Sequence, residues 1–281
     1  MTSCGSNHES ADAELRWSAA RADEAGFSRA PVVLSGADES VLIDGGFRYS
    51  DGQALVEEIK RIGKPLQTIF VSSSDPDYYF GLRPVVEAFP GVKVIGPDDV
   101  VAAIHANVGI KIATWSPQLG DNGPRNLAGV VIPEPSRVDS LTVGADKVDI
   151  VRAENLGDHY YLWIGGLDAI VGGNLVYSGE HVWVADLPTL PQRQQWIKVL
   201  DAMIERNPKV VIAGHAASGT NNGVDALRFT RDYLAAFNDA DARTSNSAEL
   251  IAAMQQRYPN LVGATNLELG AKVVKNEMTW G

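Results

Sequence analysis

The sequence predicts an α/β protein in which two sheets are enclosed by helices, and three observations lead there. In the first part of the chain, short β-rich runs alternate with amphipathic runs at helical spacing. Between residues 130 and 171, strand-like runs follow one another with no helical pattern between them. Beyond Gln192 the alternation returns. A doubly wound parallel sheet would alternate throughout, whereas a block of consecutive strands flanked by alternating segments fits paired sheets with helices outside.

Residues 1–28 are expected to form a flexible leader and a short surface helix, because Met1 to Ser10 is small and polar and Ala11 to Ala25 is charged and alanine-rich. Residues 29–281 are expected to form a single domain. Pro31 to Leu34 and Ser40 to Ile43, separated by Gly36-Ala37-Asp38-Glu39, read as a β-hairpin ending at Asp44-Gly45-Gly46. Asp51 to Ile62 has helical spacing, and Gly63 is placed as its stop. A strand at Thr68 to Val71, a helix at Tyr79 to Phe89, a strand at Val92 to Ile95 and a helix at Pro97 to Ala106 follow. His105 of that helix, set among Val100, Val101, Ile104 and Val108, reads as a packed or rim residue.

Gln118 to Asn126, rich in Gly, Asp, Asn and Pro, marks a loop suited to be a lid. The consecutive strands are Val130 to Ile132, Ser140 to Val143, Lys147 to Val151, Tyr160 to Ile164 and Ala169 to Val171. The closing alternation is a helix at Gln192 to Arg206, a strand at Lys209 to Ala213, and helices at Val224 to Asn238 and Ser247 to Tyr258.

The formal charge of −11 is spread along the chain and argues against a nucleic-acid-binding surface. No apolar run is long enough to span a membrane. The one cysteine, Cys4, lies in Thr-Ser-Cys-Gly-Ser-Asn, which supports two readings. One is a cytoplasmic protein with a frayed start. The other is a periplasmic lipoprotein anchored by lipid at Cys4.

The stretch Ser73-Ser74-Asp75-Pro76-Asp77-Tyr78-Tyr79-Phe80-Gly81 follows the strand at Thr68 to Val71, at the strand end where α/β proteins place chemistry. It resembles the metallo-β-lactamase superfamily signature His-x-His-x-Asp-His-x-x-Gly. Asp77 and Gly81 are kept, while Ser73, Asp75 and Tyr78 stand at the three histidines. Glu154-Asn155-Leu156-Gly157-Asp158 lies where the family carries Gly-His-Thr-x-Asp, which puts Asn155 at another histidine, with a shift to His159 as the alternative. Gly172-Gly173-Asn174 lies where the family carries Gly-Asp, and Val210 to His215 matches its final strand-Gly-His.

The resemblance implies a four-layer αβ/βα sandwich and a hydrolase ancestry. It also implies a first metal position at Ser73, Asp75 and Asn155, and a second at Asp77, Tyr78 and His215, bridged by Asn174. Zinc requires imidazole, thiolate or ionised carboxylate, so amides and a hydroxyl at these places argue against a zinc pair. The fallback is one harder divalent cation on Asp75, Asp77 and His215. The leading reading has no metal.

In that reading Asp77 and His215 are the acid/base pair, and the neighbouring carboxylate raises the His215 pKa. Tyr78 donates to a developing oxyanion. Ser73, Asp75, Asn155, Asn174, His181 and Trp183 contact the substrate, with Ser73 filling the space of a lost imidazole rather than attacking. The expected function is hydrolase-like action on, or binding of, a small molecule such as an ester, lactone or amide. The alternatives are a non-catalytic binding or sensory protein and a single-metal hydrolase.

Overall fold

The computed structural model describes residues Glu14 to Trp280. Its first sheet is built from β1 (Arg16–Ala19), β2 (Val32–Ser35), β3 (Ser40–Ile43), β4 (Leu66–Phe70), β5 (Lys93–Pro97) and β6 (Glu134–Ser136), in sequence order. β1, β2 and β3 pair antiparallel, and β3 to β6 run parallel. The parallel crossovers contain α1 (Tyr49–Ile62), α2 (Arg83–Ala88) and α3 (Asp98–Leu119).

The second sheet contains β7 (Ser140–Val143), β8 (Asp146–Arg152), β9 (Tyr160–Ile164) and β10 (Ala169–Val171). After the short β11 (Tyr177–Ser178) and α4 (Leu190–Glu205) comes β12 (Val210–Val211), which closes the order β12-β10-β9-β8-β7. β13 (His215–Ala216) pairs with β11. α5 (Asp225–Asp241), α6 (Ser247–Arg257) and α7 (Ala264–Val274) complete the chain.

Three apolar cores set the layers. Val32, Leu34 and Ile43 of the first sheet meet Val148, Leu162 and Val171 of the second. Val33, Leu42 and Ile69, on the other face of the first sheet, pack with Leu55 and Ile59 of α1 and Ile104 of α3. Tyr161, Ile170 and Val211 of the second sheet pack with Trp196, Leu234 and Leu250 of α4, α5 and α6. Helix, sheet, sheet and helix therefore stack as the αβ/βα sandwich expected. A strand such as Val32-Val33-Leu34 is apolar throughout because it is buried on both faces. Each such side chain contributes roughly 1.5–3 kcal/mol over an exposed one.

Local chemistry fixes the element that carries the motif. The Asp51 carboxylate accepts the Arg48 N–H at the start of α1 (2.9 Å), and Gly63 ends the helix at φ 72°. Gly52 of α1 lies against Gly81, where a Cβ would come 1.9 Å from the Gly81 carbonyl oxygen. The Gly81 N–H donates to the Gly46 carbonyl (2.7 Å). The motif's closing glycine is thus there for close packing.

Several expectations are corrected. Between Ala11 and Ala25 the described residues form β1 and a 3-10 turn (Glu24–Gly26), not a surface helix. Pairing of Trp17 with Leu34, and packing of Trp17 on the inter-sheet core, override the helical propensity of the alanines. The lipid-anchor expectation at Cys4 lies outside the described residues. Val130 to Ile132 is irregular chain, and the strand is β6. α3 runs a further 13 residues beyond Ala106. The loop at Gln118 to Asn126 is not a lid: Asn122 accepts the Ser50 N–H of α1 (2.8 Å), and the loop lines no part of the cleft described below. α7 was not anticipated. Among the described residues no helix is long and apolar enough to cross a membrane.

Candidate active site

The polar segment after β4 and the strand β13 bring Asp77 and His215 together. Asp77 sits in a 3-10 turn (Pro76–Tyr78), and its Oδ2 lies 3.6 Å from His215 Nε2 and 3.4 Å from Arg29 Nε. His215 Nδ1 is 2.8 Å from the Phe27 carbonyl, an acceptor that requires the hydrogen on Nδ1 and leaves Nε2 as a lone pair facing Asp77. Tyr177 of β11 stacks on the imidazole. Tyr78 is fully buried and donates its hydroxyl proton to the Gly173 carbonyl (2.9 Å), so that proton is committed elsewhere than to a substrate oxyanion.

Arg29 is the buried cation of the site. It donates to the carbonyls of Gly214 and Asp77, lies 3.6 Å from Asp44, and covers the Tyr78 ring at 3.4 Å. Asp44 also accepts from the Ser72 N–H (2.7 Å) and hydroxyl (2.8 Å), so Arg29 and Asp44 balance each other inside the protein.

Burial sets the protonation states. The Asp77 carboxyl is pushed up to about 7, with Arg29 opposing and Asp75 assisting. His215 is pushed down to about 3 by burial and the Arg29 charge, the reverse of the sequence expectation. The pair near neutral pH is therefore a neutral imidazole beside a carboxyl that readily gains and loses a proton. Glu180, 3.6 Å from His215 Nδ1, is raised by burial to about 8.

Asp77 and His215 line a narrow cleft that is open to solvent. Six aromatic side chains line it: Phe27, Phe47, Trp115, Tyr177, Trp183 and Trp280. Lys111 of α3 enters it with Nζ 4.0 Å from Asp75 and 4.9 Å over the Trp280 ring. Behind the indoles, Asp186 accepts the N–H of Trp183 (2.6 Å) and of Trp280 (3.1 Å), and its own carboxyl is raised by burial to about 7.

Sequence reasoning missed Lys111, Trp115, Asp186 and Trp280. A signal for Lys111 was present, since it falls on the apolar stripe Ile104-Val108-Lys111-Trp115, where a lysine needs a buried partner. Trp280 carried none.

The remaining expected residues divide. Asp75 and Trp183 line the cleft. Ser73 donates to Asp75 (3.2 Å) rather than engaging His215, and Asn174 Nδ2 also donates to Asp75 (2.8 Å). Asn155 is exposed at φ 58°, its amide on Glu154 (3.5 Å). His159 is turned to the Leu156 carbonyl (2.7 Å). His181 is buried against Tyr233 (2.9 Å), away from the cleft, and His105 is exposed on α3.

These residues do not fit the metal centre that the resemblance implies. Among the described residues no three His, Cys, Asp or Glu side chains are grouped to hold an ion, and Asp75, Asp77 and His215 do not form such a set. A permanent guanidinium, Arg29, adjoins Asp77 where a second cation would be repelled. The Asp75 carboxylate is taken up by Ser73 and Asn174.

Comparison with known proteins bears on the fold. A metallo-β-lactamase family protein from Thermus thermophilus superposes with a TM-score of 0.61 at 17% identity, covering 94% of this chain and 93% of that one. A β-lactamase domain protein from Burkholderia ambifaria gives 0.62 at 16% identity, covering 93% and 84%. Among curated proteins none matches the sequence. The family model for the metallo-β-lactamase superfamily matches residues 26–215. With that match spanning most of the layered core, from the approach to β2 through His215, the chain belongs to the metallo-β-lactamase superfamily.

Proposed function

We propose that the protein hydrolyses a small ester, lactone or amide bound in the aromatic cleft, with proton transfer by Asp77 and no step carried by a metal pair. The observation that carries this reading is Asp77, which lines the cleft between Arg29 and His215 with its carboxyl raised by burial to about 7. In the ionised form Asp77 takes a proton from water as the water oxygen bonds to the acyl carbon. The carboxyl then returns that proton to the leaving oxygen or nitrogen as the acyl bond breaks. Lys111 is the cation in the cleft able to face the developing oxyanion, since Arg29 is engaged by Gly214, Asp77 and Asp44. His215 holds the Asp77 side of the floor as a neutral acceptor.

A second reading is a binding protein on the same scaffold. It draws on the absence of an engaged nucleophile, Ser73 being bonded to Asp75. Turnover of a panel of chromogenic esters, lactones and anilides by protein treated with chelator separates the two. Hydrolysis that survives chelation and falls at least a hundredfold in Asp77→Asn is expected. Ligand binding without turnover of any member sinks the hydrolase reading.

A further inference from the structure

We propose that Trp280 is a gate on this cleft: Met278 to Trp280 swing away to admit the ligand and return to lay the indole over it. This rests on the preceding reading for the location of the site, and adds how the site fills and which residue controls entry.

The first support is size. The free space inside the cleft is about 40 Å³, against roughly 150 Å³ for a cavity that takes up a benzene ring. An ester, lactone or amide with any sizeable body therefore enters only if a wall moves.

The second is that one wall is built to move. Lys111 and Trp115 belong to α3, Tyr177 to β11 and Asn266 to α7. Phe47 is fixed in the core under the first sheet, and Trp183 stands between the fully buried Val182 and Val184. Phe27 is held by its N–H on the Glu24 carbonyl (2.9 Å) and its own carbonyl on His215. Trp280 differs: it follows α7 in irregular chain, and among the described residues Met278, Thr279 and Trp280 make no backbone hydrogen bond. The hinge is equally definite. The Glu277 N–H donates to the Lys272 carbonyl (2.8 Å), and its carboxylate accepts the Ser247 N–H (2.8 Å). Lys275 Nζ donates to the carbonyls of Asp241 (2.7 Å) and Thr244 (2.6 Å). The chain is thus pinned as far as Glu277 and released after it.

The third is the latch. The Trp280 indole N–H donates to Asp186 (3.1 Å), and its ring meets Trp183 and Trp115 edge to face, with centroids 4.9 and 6.3 Å apart. Lys111 Nζ lies 4.9 Å over the same ring. Each contact is individually modest and made by side chains, so the latch opens without unfolding anything. Opening also frees Lys111 from the indole, which readies the cation assigned to the oxyanion as the ligand arrives.

The test is stopped-flow binding of 2-acetylnaphthalene, an uncharged carbonyl compound close to an indole in size, to the full chain, followed by quenching of tryptophan fluorescence. The wild-type rate should level off with probe concentration at the rate of gate opening. Trp280→Ala should show a rate that rises linearly, with association at least about tenfold faster and dissociation faster too, since a required conformational change slows binding. Loss of a passive wall would speed dissociation alone. Trp280→Phe, which keeps a ring and loses the bond to Asp186, should fall between. In the chain labelled with 5-fluorotryptophan, the Trp280 fluorine resonance, identified by its loss in Trp280→Phe, should show millisecond exchange that buried Trp196 lacks. Association unchanged by Trp280→Ala, no binding of the probe by either chain, or a Trp280 resonance as free of exchange as that of Trp196 overturns the proposal. None of these readouts needs turnover. A working gate on a chain that hydrolyses none of the panel sinks only the hydrolase reading, and hydrolysis with association unchanged by Trp280→Ala sinks only this one.

Discussion

Tyr177 lies flat against His215, ring centroids 4.7 Å apart and planes 2° from parallel. The stack and the Phe27 carbonyl together hold the imidazole in one orientation and keep water from it. Tyr177→Ala should cost about 3–5 kcal/mol of stability through the cavity it leaves. It should also admit water and move the His215 pKa up from about 3 towards 6.5. A histidine titration followed by NMR reads the shift. Tyr177→Phe, which keeps the stack, should leave that value low.

Asp77 gives stability a defined pH dependence. Its folded pKa, about 7, lies above the ordinary value of 3.8, so the folded state favours the protonated form. Its contribution is present below about pH 4 and is lost as pH rises through 7. Asp77→Asn should therefore melt close to wild type at pH 4 and increasingly above it as pH rises to 8. His215 works in the opposite sense, with stability lost as pH falls from 6.5 towards 3. Equal melting shifts at pH 4 and pH 8 would contradict the assignment for Asp77.

Arg29 neutralises Asp44 and Asp77 at no cost in exposed surface, being itself wholly buried. Arg29→Met leaves a buried carboxylate without its counter-charge and should lower the unfolding free energy by roughly 3–5 kcal/mol. The double variant Arg29→Met with Asp44→Asn should recover part of that loss. Urea denaturation at pH 7 measures both.

Gly52→Ala forces a methyl to within 1.9 Å of the Gly81 carbonyl oxygen, a backbone atom, so the helix or the motif turn must shift. A loss of roughly 1–3 kcal/mol or more is expected. Because Gly81 closes the turn that begins at the Asp77 segment, the same variant should weaken ligand binding, which a Gly109→Ala control on the open side of α3 should not.

The layers were legible because burial imposes periods on the chain. β2 to β5 and β7 to β10 read as apolar runs of strand length, and α1 announced both its face and its glycine stop. Ala11 to Ala25 misled because local composition speaks for a helix while Trp17 finds a strand partner only in the folded sheet. The convergence of Asp77 and His215 followed from the family pattern, but their protonation did not. The pKa of His215 depends on Arg29, a residue 186 positions away with no motif of its own. The aromatic wall was hidden for a related reason. Trp115, Trp183 and Trp280 look like ordinary helix, loop and tail residues until folding sets them side by side.

That wall joins distant parts of the polypeptide, from Phe27 near one end to Trp280 near the other. Any compound lodged there clamps both ends at once, so occupancy ought to be felt across the entire molecule as delayed melting and slower proteolysis. A simple heat-challenge screen of compound libraries would consequently report on the cleft without knowledge of any reaction.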